Sequence, residues 1–174
     1  MPLDAFTLPD GTHIRYTKRT DSPETEGFEI EMTVPRHGTA TPPHTHPAQT
    51  DEFYVQSGRV EIFLDGTWHT RGPGEELIVR PGHVHTYRNN FHEPVVIRNV
   101  HQPSGSFQEY LDRMGLLVQQ GKITKMSGLR TLTYMSILFT EHTDAMRLHS
   151  PLLRAVTTLL AAVAKVLGLR APRP

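Results

Sequence analysis

Apolar and polar residues alternate through the first hundred positions of the chain and then change period. Phe28, Ile30, Met32 and Val34 alternate with Glu29, Glu31 and Thr33, the period of a half-buried strand. Val60, Ile62 and Leu64 alternate with Arg59, Glu61 and Phe63, and the run stops at Asp65-Gly66, a hairpin turn leading into Thr67–Thr70. Val95, Val96 and Ile97 form a continuous β-branched run, which predicts a strand buried on both faces. Turn signals recur at Asp10-Gly11, Ser57-Gly58, Gly72-Pro73-Gly74 and Pro81-Gly82. Short strands at this spacing predict an all-β sandwich or barrel.

After Gln102-Pro103-Ser104-Gly105 the period becomes helical, which divides the chain into a barrel over 1–104 and a helical extension over 105–174. Ser106 and Glu109 have the spacing of a capping box for a first helix that stops at Gly121. A second helix is predicted over 129–142, with Leu132, Met135, Leu138 and Phe139 on its apolar side. Ser150-Pro151 opens a third, with serine as cap and proline in the first turn, ending at Gly168. Its stripe of Leu152, Leu153, Val156, Leu159, Leu160, Val163, Val166 and Leu167 is expected to pack on the barrel or on a second subunit, which predicts a homodimer. Contact of this helix with a membrane surface is the weaker alternative. The tail 171–174 is expected to fray.

The chain has 174 residues, enough to bury a core without staples. Eighteen basic residues balance eighteen acidic ones, so no nucleic-acid partner is implied. There is no cysteine, so any metal must take His, carboxylate or amide donors. The first residues lack a basic stretch followed by an apolar run, and no apolar run has transmembrane length; the expected location is the cytoplasm.

Candidate chemistry gathers between Gly38 and Asn89. His44 and His46, two apart, point to one face of an extended segment. Neutral imidazole ligates iron, manganese, nickel, copper and zinc. His85 follows the Pro81-Gly82 turn, which feeds a second strand across the barrel mouth. Asp51 shares the parity of Phe53 and Val55 and so faces inward if they do. Three imidazoles and one carboxylate would leave an octahedral ion about two open positions, the mark of a catalytic metal. Gln49 competes with Asp51 for the fourth place through its amide oxygen, and Glu52, on the opposite parity, ranks third. Tyr87 shares the face of His85 and is the candidate substrate contact or acid. His83 reads as loop surface, and His37, His69, His92 and His101 as surface or hydrogen-bonded histidines.

Gly38, His44, His46, Asp51 and Gly58 fall at the spacings of the first motif of the cupin superfamily, and Gly74, Arg80, Gly82, His85 and Asn89 at those of the second. The chain therefore resembles a cupin, with Asp51 where the motif has glutamate and Arg80 where it has proline. The C-terminal helices look like those of a bacterial subgroup of small cupins of unassigned function. The resemblance implies a mainly β, double-stranded β-helix (jelly-roll) barrel carrying one divalent transition metal (iron, manganese, nickel, copper or zinc). Cupin activities include dioxygenases, isomerases, decarboxylases, lyases and purely binding roles. The leading expectation is a mononuclear-metal oxygenase acting on a small organic molecule. A non-catalytic binder and a metal-dependent isomerase or lyase are the alternatives.

Overall fold

A computed structural model describes residues 3–38 and 41–173. The strands are β1 Ala5–Thr7, β2 His13–Lys18, β3 Phe28–Val34, β4 His44–Thr45, β5 Thr50–Ser57, β6 Val60–Leu64, β7 Thr67–Arg71, β8 Glu76–Val79, β9 His85–Arg88, β10 Val95–Gln102 and β11 Arg147–Leu148. The helices are α1 Phe107–Gln119, α2 Leu129–Glu141 and α3 Pro151–Val166. Two antiparallel sheets face each other, one ordered β1-β2-β3-β10-β5-β8 and the other β11-β4-β9-β6-β7. This is the mainly β barrel with C-terminal helices that the sequence predicts.

The alternating strands form as read. In β3 the residues Phe28, Ile30, Met32 and Val34 are all buried. The β6–β7 hairpin closes through Asp65 and Gly66, both at positive φ, so that Leu64 pairs with Thr67. At Gly58 (φ 73°) a Cβ would collide with the Pro94 carbonyl, so this first-motif glycine is a packing requirement.

The β-branched run behaves differently from its reading. It opens an eight-residue strand in which Val95, Ile97, Asn99 and His101 are buried while Val96, Arg98 and Val100 are only half-buried. β10 lies centrally, between β3 and β5, and its period of two continues into polar residues.

The extension is tied into the barrel. The Arg19 guanidinium donates to Asp112 on α1 at 2.7 and 2.9 Å and lies 3.6 Å over the Tyr16 ring. β11, from beyond α2, adds to the edge of β4. Ser106 precedes α1 but makes no capping box: its hydroxyl and backbone N–H both donate to Asp144. Glu109 lies 3.8 Å from Arg113 instead. Ser150 caps α3 as read, accepting from the Leu153 N–H. On α2 the buried apolar residues are Tyr134, Ile137, Leu138 and Phe139, whereas Leu132 is exposed and Met135 half-buried. The tail is not frayed at its start: Ala171 is buried and the Pro172 carbonyl accepts from Arg113 Nε, while Pro174 lies outside the described residues.

On α3 the apolar stripe does not pack on the barrel, the first of its two expected places. The helix packs on α2 through Thr157, Ala161 and Ala164, and most of its predicted stripe faces outward. Leu152, Leu159 and Val166 are 75%, 66% and 88% exposed. No helix among the described residues is long and apolar enough to cross a membrane.

The corrected phase of β10 has a direct consequence. Ile97→Ala is expected to cost about 2–5 kcal/mol of unfolding free energy through the cavity it leaves, and Val96→Ala about 1 kcal/mol or less. Urea titration of both variants checks this; equal losses would contradict the alternation.

Candidate metal centre

Local structure aims three imidazoles at one point. β4 and β9 pair antiparallel with His44 directly opposite His85. His46 follows β4, and its carbonyl accepts from the Gly82 N–H at 2.8 Å. Gly82, at φ 84°, thus makes the turn that delivers His85 and ties it to the histidine pair. The His44–His85, His44–His46 and His46–His85 ring centroids are 4.3, 5.0 and 5.0 Å apart. One donor atom from each ring lies within 4.8 Å of the other two, and all three residues are buried.

The tautomers follow from the partners. His44 Nδ1 lies 2.9 Å from the Pro42 carbonyl, His46 Nδ1 2.6 Å from that of Ala145, and His85 Nδ1 3.1 Å from that of His83. A carbonyl can only accept, so each Nδ1 carries the proton and donates it. Each Nε2 is left with a free lone pair. Those of His46 and His85 are buried without a hydrogen-bond partner, which is costly in a metal-free interior. A divalent transition metal answers that cost, and a backbone-anchored Nδ1–H is the usual support of an Nε2 ligand.

Asp51 faces inward from β5, in phase with Phe53 and Val55. Its Oδ2 lies 3.1 Å from His85 Nε2 and 3.7 Å from His46 Nε2. Its Oδ1 accepts from Asn99 Nδ2 at 2.6 Å. Asn99 also donates to the Glu52 carbonyl, which leaves its own Oδ1 to accept from His101 Nε2 at 2.9 Å. The chain His101–Asn99–Asp51 therefore turns one carboxylate oxygen toward His85 and His46 and holds the other.

Gln49 does not share this arrangement. It is buried, but its amide nitrogen donates to the Ser104 carbonyl and the residue is absent from the cavity wall. Glu52 accepts from the Tyr54 hydroxyl, away from the cluster. Tyr87 lines the cavity beside Phe53, with ring centroids 6.1 Å apart. His83 is exposed and paired with Asp65 at 2.5 Å. His37 and His92 are exposed and His69 is half-buried on β7. Arg80 faces solvent.

Of the two readings of His101, surface or hydrogen-bonded, the second holds: its Nε2 donates to Asn99 Oδ1 in the layer behind Asp51. His101 is 2% exposed, its ring centroid lies 5.1 Å from that of His46, and with His46 and Asp51 it forms a second group of clustered donors. The alternation Val95, Ile97, Asn99, His101 carries the signal that places it in the site. Tyr110, from α1, also lines the cavity.

Electrostatics follow from burial. Burial holds the His44 imidazole well below 6.5, reinforced by His85 and His46. It pushes His101 down to about 3. Burial opposes charge on Asp51, but the surrounding imidazoles of His101, His46 and His85 hold its carboxyl well below 3.8. Tyr87 and Tyr110 are pushed up from 10.0, chiefly by burial, and keep their protons at neutral pH. The site sets the Asp51 carboxylate beside the neutral imidazoles of His44 and His101.

Residues 30–101 match the family described as Cupin domain. No curated protein matches the chain. Among solved structures, KdgF from Halomonas sp. is 17% identical, with a TM-score of 0.51 over 58% of this chain and 86% of that one. An uncharacterized conserved protein with a double-stranded beta-helix domain, from Klebsiella pneumoniae, is 22% identical, with a TM-score of 0.47 over 53% and 77%. A Cupin 2 conserved barrel domain protein from Salinispora arenicola is 18% identical, with a TM-score of 0.46 over 59% and 86%.

The depressed histidines make metal-free stability depend on pH with a definite sign. Unfolded histidines take up protons near pH 6.5, whereas folded His101 resists until about 3 and folded His44 until well below 6.5. The unfolded state therefore binds more protons, and stability falls as pH drops through this window, by about 1.4 kcal/mol per pH unit for each such histidine. Asp51 works in the same direction only below about 3.8. Urea unfolding in chelator between pH 7.5 and 5 tests this; a flat or rising stability would contradict it.

Proposed function

We propose that this chain, whose residues 30–101 are a cupin domain, holds one divalent transition metal through His44, His46, His85 and Asp51 and acts as a mononuclear-metal oxygenase on a small organic molecule. The observation that carries the reading is the commitment of all three Nδ1 atoms to backbone carbonyls, which presents three Nε2 lone pairs beside one carboxylate oxygen. Such a metal supplies Lewis acidity and, where it is redox-active, electron transfer to dioxygen.

The chain's own residues set the conditions for that chemistry. Asn99 and His101 fix the rotation of Asp51. Tyr87 and Tyr110 present hydroxyls that stay protonated, so they can donate a proton or a hydrogen bond to a substrate oxygen but do not act as bases near neutral pH. Apolar side chains make up most of the cavity wall beyond the cluster.

Elemental analysis of protein purified without a histidine tag should find about one transition metal per chain, and less than about a tenth of that in a His44→Ala/His85→Ala double variant. Substoichiometric metal in both proteins would sink the reading. Metal at full occupancy with no dioxygen uptake across a panel of small organic compounds would favour a non-catalytic binding module instead.

We also propose that a second copy of the chain covers α3. The exposed residues Leu152, Val156, Leu159, Val163 and Val166 are spaced by four, three, four and three, the repeat of a coiled-coil seam. Valine at 156 and 163 with leucine at 152 and 159 is the pattern that favours two strands. Alanines at 155 and 162 flank the seam and permit close approach, and the charged Arg154 and Lys165 lie off it. The membrane alternative lacks the richly basic polar face of an interfacial helix. Light scattering after size exclusion should give a dimer for the wild type and a monomer for Leu159→Glu with its far-ultraviolet spectrum intact. A monomeric wild type, or flotation of the wild type with anionic liposomes, would count against it.

A further inference from the structure

The metal cluster forms one end of a cavity of about 620 Å³, inside the range of roughly 300–1,000 Å³ that small-molecule ligands occupy. Its chemistry is lopsided. The polar groups concentrate at the imidazoles, Asp51 and Asn99; beyond them lie the hydroxyls of Thr41, Tyr87, Tyr110, Ser127 and Thr131, the last already donated to the Lys125 carbonyl, and the remaining wall is aliphatic, aromatic and thioether. Among the described residues Asp51 is the one charged group of the lining; no lysine, arginine or glutamate reaches it. The chain has six methionines, and Met32, Met114, Met126, Met135 and Met146 all line this cavity. They come from β3, α1, α2 and the segments before and after α2, so the concentration is not a local run of sequence. Leu129 and Leu132 line the cavity too and are 72% and 38% exposed, so it reaches the surface past the first turn of α2.

We infer that the substrate is an uncharged, largely apolar molecule carrying one metal-directed oxygen function, and that the pocket tolerates variation in its apolar body. The inference rests on the oxygenase reading for the role of that oxygen, but the exclusion of charge stands on the wall alone. A phosphate or sulfonate away from the metal would be buried without a cation, and a buried unpaired charge is expensive. A sugar or other polyol would bring several hydroxyls to a wall with few partners, and unpaired hydroxyls are penalised in the same way. Methionine is flexible and polarisable, and a wall built from five of them fits ligands of unequal shape better than one of β-branched residues. α1, α2 and the 126–128 segment supply most of the apolar wall, so the extension sets specificity while the barrel supplies the donors.

A matched pair of fluorescent probes tests this on the full chain as purified. N-phenyl-1-naphthylamine is neutral, and 8-anilinonaphthalene-1-sulfonate is the same scaffold with a sulfonate. The neutral probe should bind at about one per chain and about tenfold or more tighter than the sulfonate, a difference of about 1.4 kcal/mol or more. Met135→Lys should weaken the neutral probe about tenfold and narrow the gap, whereas Met135→Leu should not. Thr70→Lys, exposed on β7 and outside both the cavity lining and the α3 seam, should leave both affinities unchanged. Met126→Lys, in the loop before α2, replaces Met135→Lys if circular dichroism shows that variant to be unfolded. No saturable binding of the neutral probe, equal or tighter binding of the sulfonate, or insensitivity to the cavity lysine would overturn the inference. Metal content measured on the same samples separates the two readings. Full metal without a preference for the neutral probe sinks the substrate class alone; the preference without metal sinks the metal reading and leaves the cavity's selectivity standing.

Discussion

Three buried imidazoles donate to three backbone carbonyls, and much of the architecture exists to deliver those carbonyls. Pro42 lies two residues before His44 and His83 two before His85, so each of these histidines is braced by its own approach to the strand. His46 is braced from far away, by Ala145, ninety-nine residues on and beyond α2. Fixing the His46 tautomer therefore requires the extension to fold back, and β11, starting two residues after Ala145, fastens that return to the edge of β4. The helices are part of the donor geometry as well as of the cavity wall.

Burial decides the charge state of the cluster. Burial makes a protonated His44 or His101 costly, and for His44 the rings of His85 and His46, 4.3 and 5.0 Å away, add to that cost. His44 and His101 are neutral near pH 7, the state in which an imidazole can ligate a metal. Asp51 goes the other way: its Oδ1 accepts from Asn99, and its Oδ2 lies beside the Nε2 atoms of His85 and His46, where a bound cation would sit. Asn99 has two donors already spent on Asp51 and the Glu52 carbonyl, so its remaining oxygen falls to His101. That packing leaves His101 Nδ1 buried without a partner. Pinning the carboxylate oxygen thus has a definite cost in the layer behind it.

Spacing made the forward part of the site readable. Two histidines two apart, a carboxylate in phase with Phe53 and Val55, and a glycine turn before His85 each have a local cause; the structure gathers the three histidines and sets Asp51 against His46 and His85. What stayed hidden has non-local causes. The Ala145 carbonyl has no side-chain signature at all. Gln49 and Asp51 carry similar oxygens two positions apart, and only the proximity of Ser104 decides that Gln49 turns away. His101 was masked because three β-branched residues at the start of its strand imitate a segment buried on both faces; the alternation is evident only when Asn99 and His101 are counted with Val95 and Ile97. Ser106 and Glu109 had capping-box spacing, yet Asp144 from another part of the chain outcompeted the local bond.

α3 shows the same limit from the other side. A stripe of leucine and valine at helical spacing reads identically whether it faces a barrel, a partner or water, because periodicity reports amphipathicity and not the occupant. Here the inner face is made of Thr157, Ala161 and Ala164, small residues that let α3 lie close to α2. The large residues are displaced outward by that choice: a close helix pair has no room for leucines at its contact. Exposed leucines are ordinary when scattered, but five apolar side chains in a 3–4 repeat along one face make a contiguous patch, and a patch of that kind marks an interaction surface. Of the two places the sequence allows for the stripe, the barrel or a second subunit, the small residues have taken the contact within the chain, and the large ones form the surface left over.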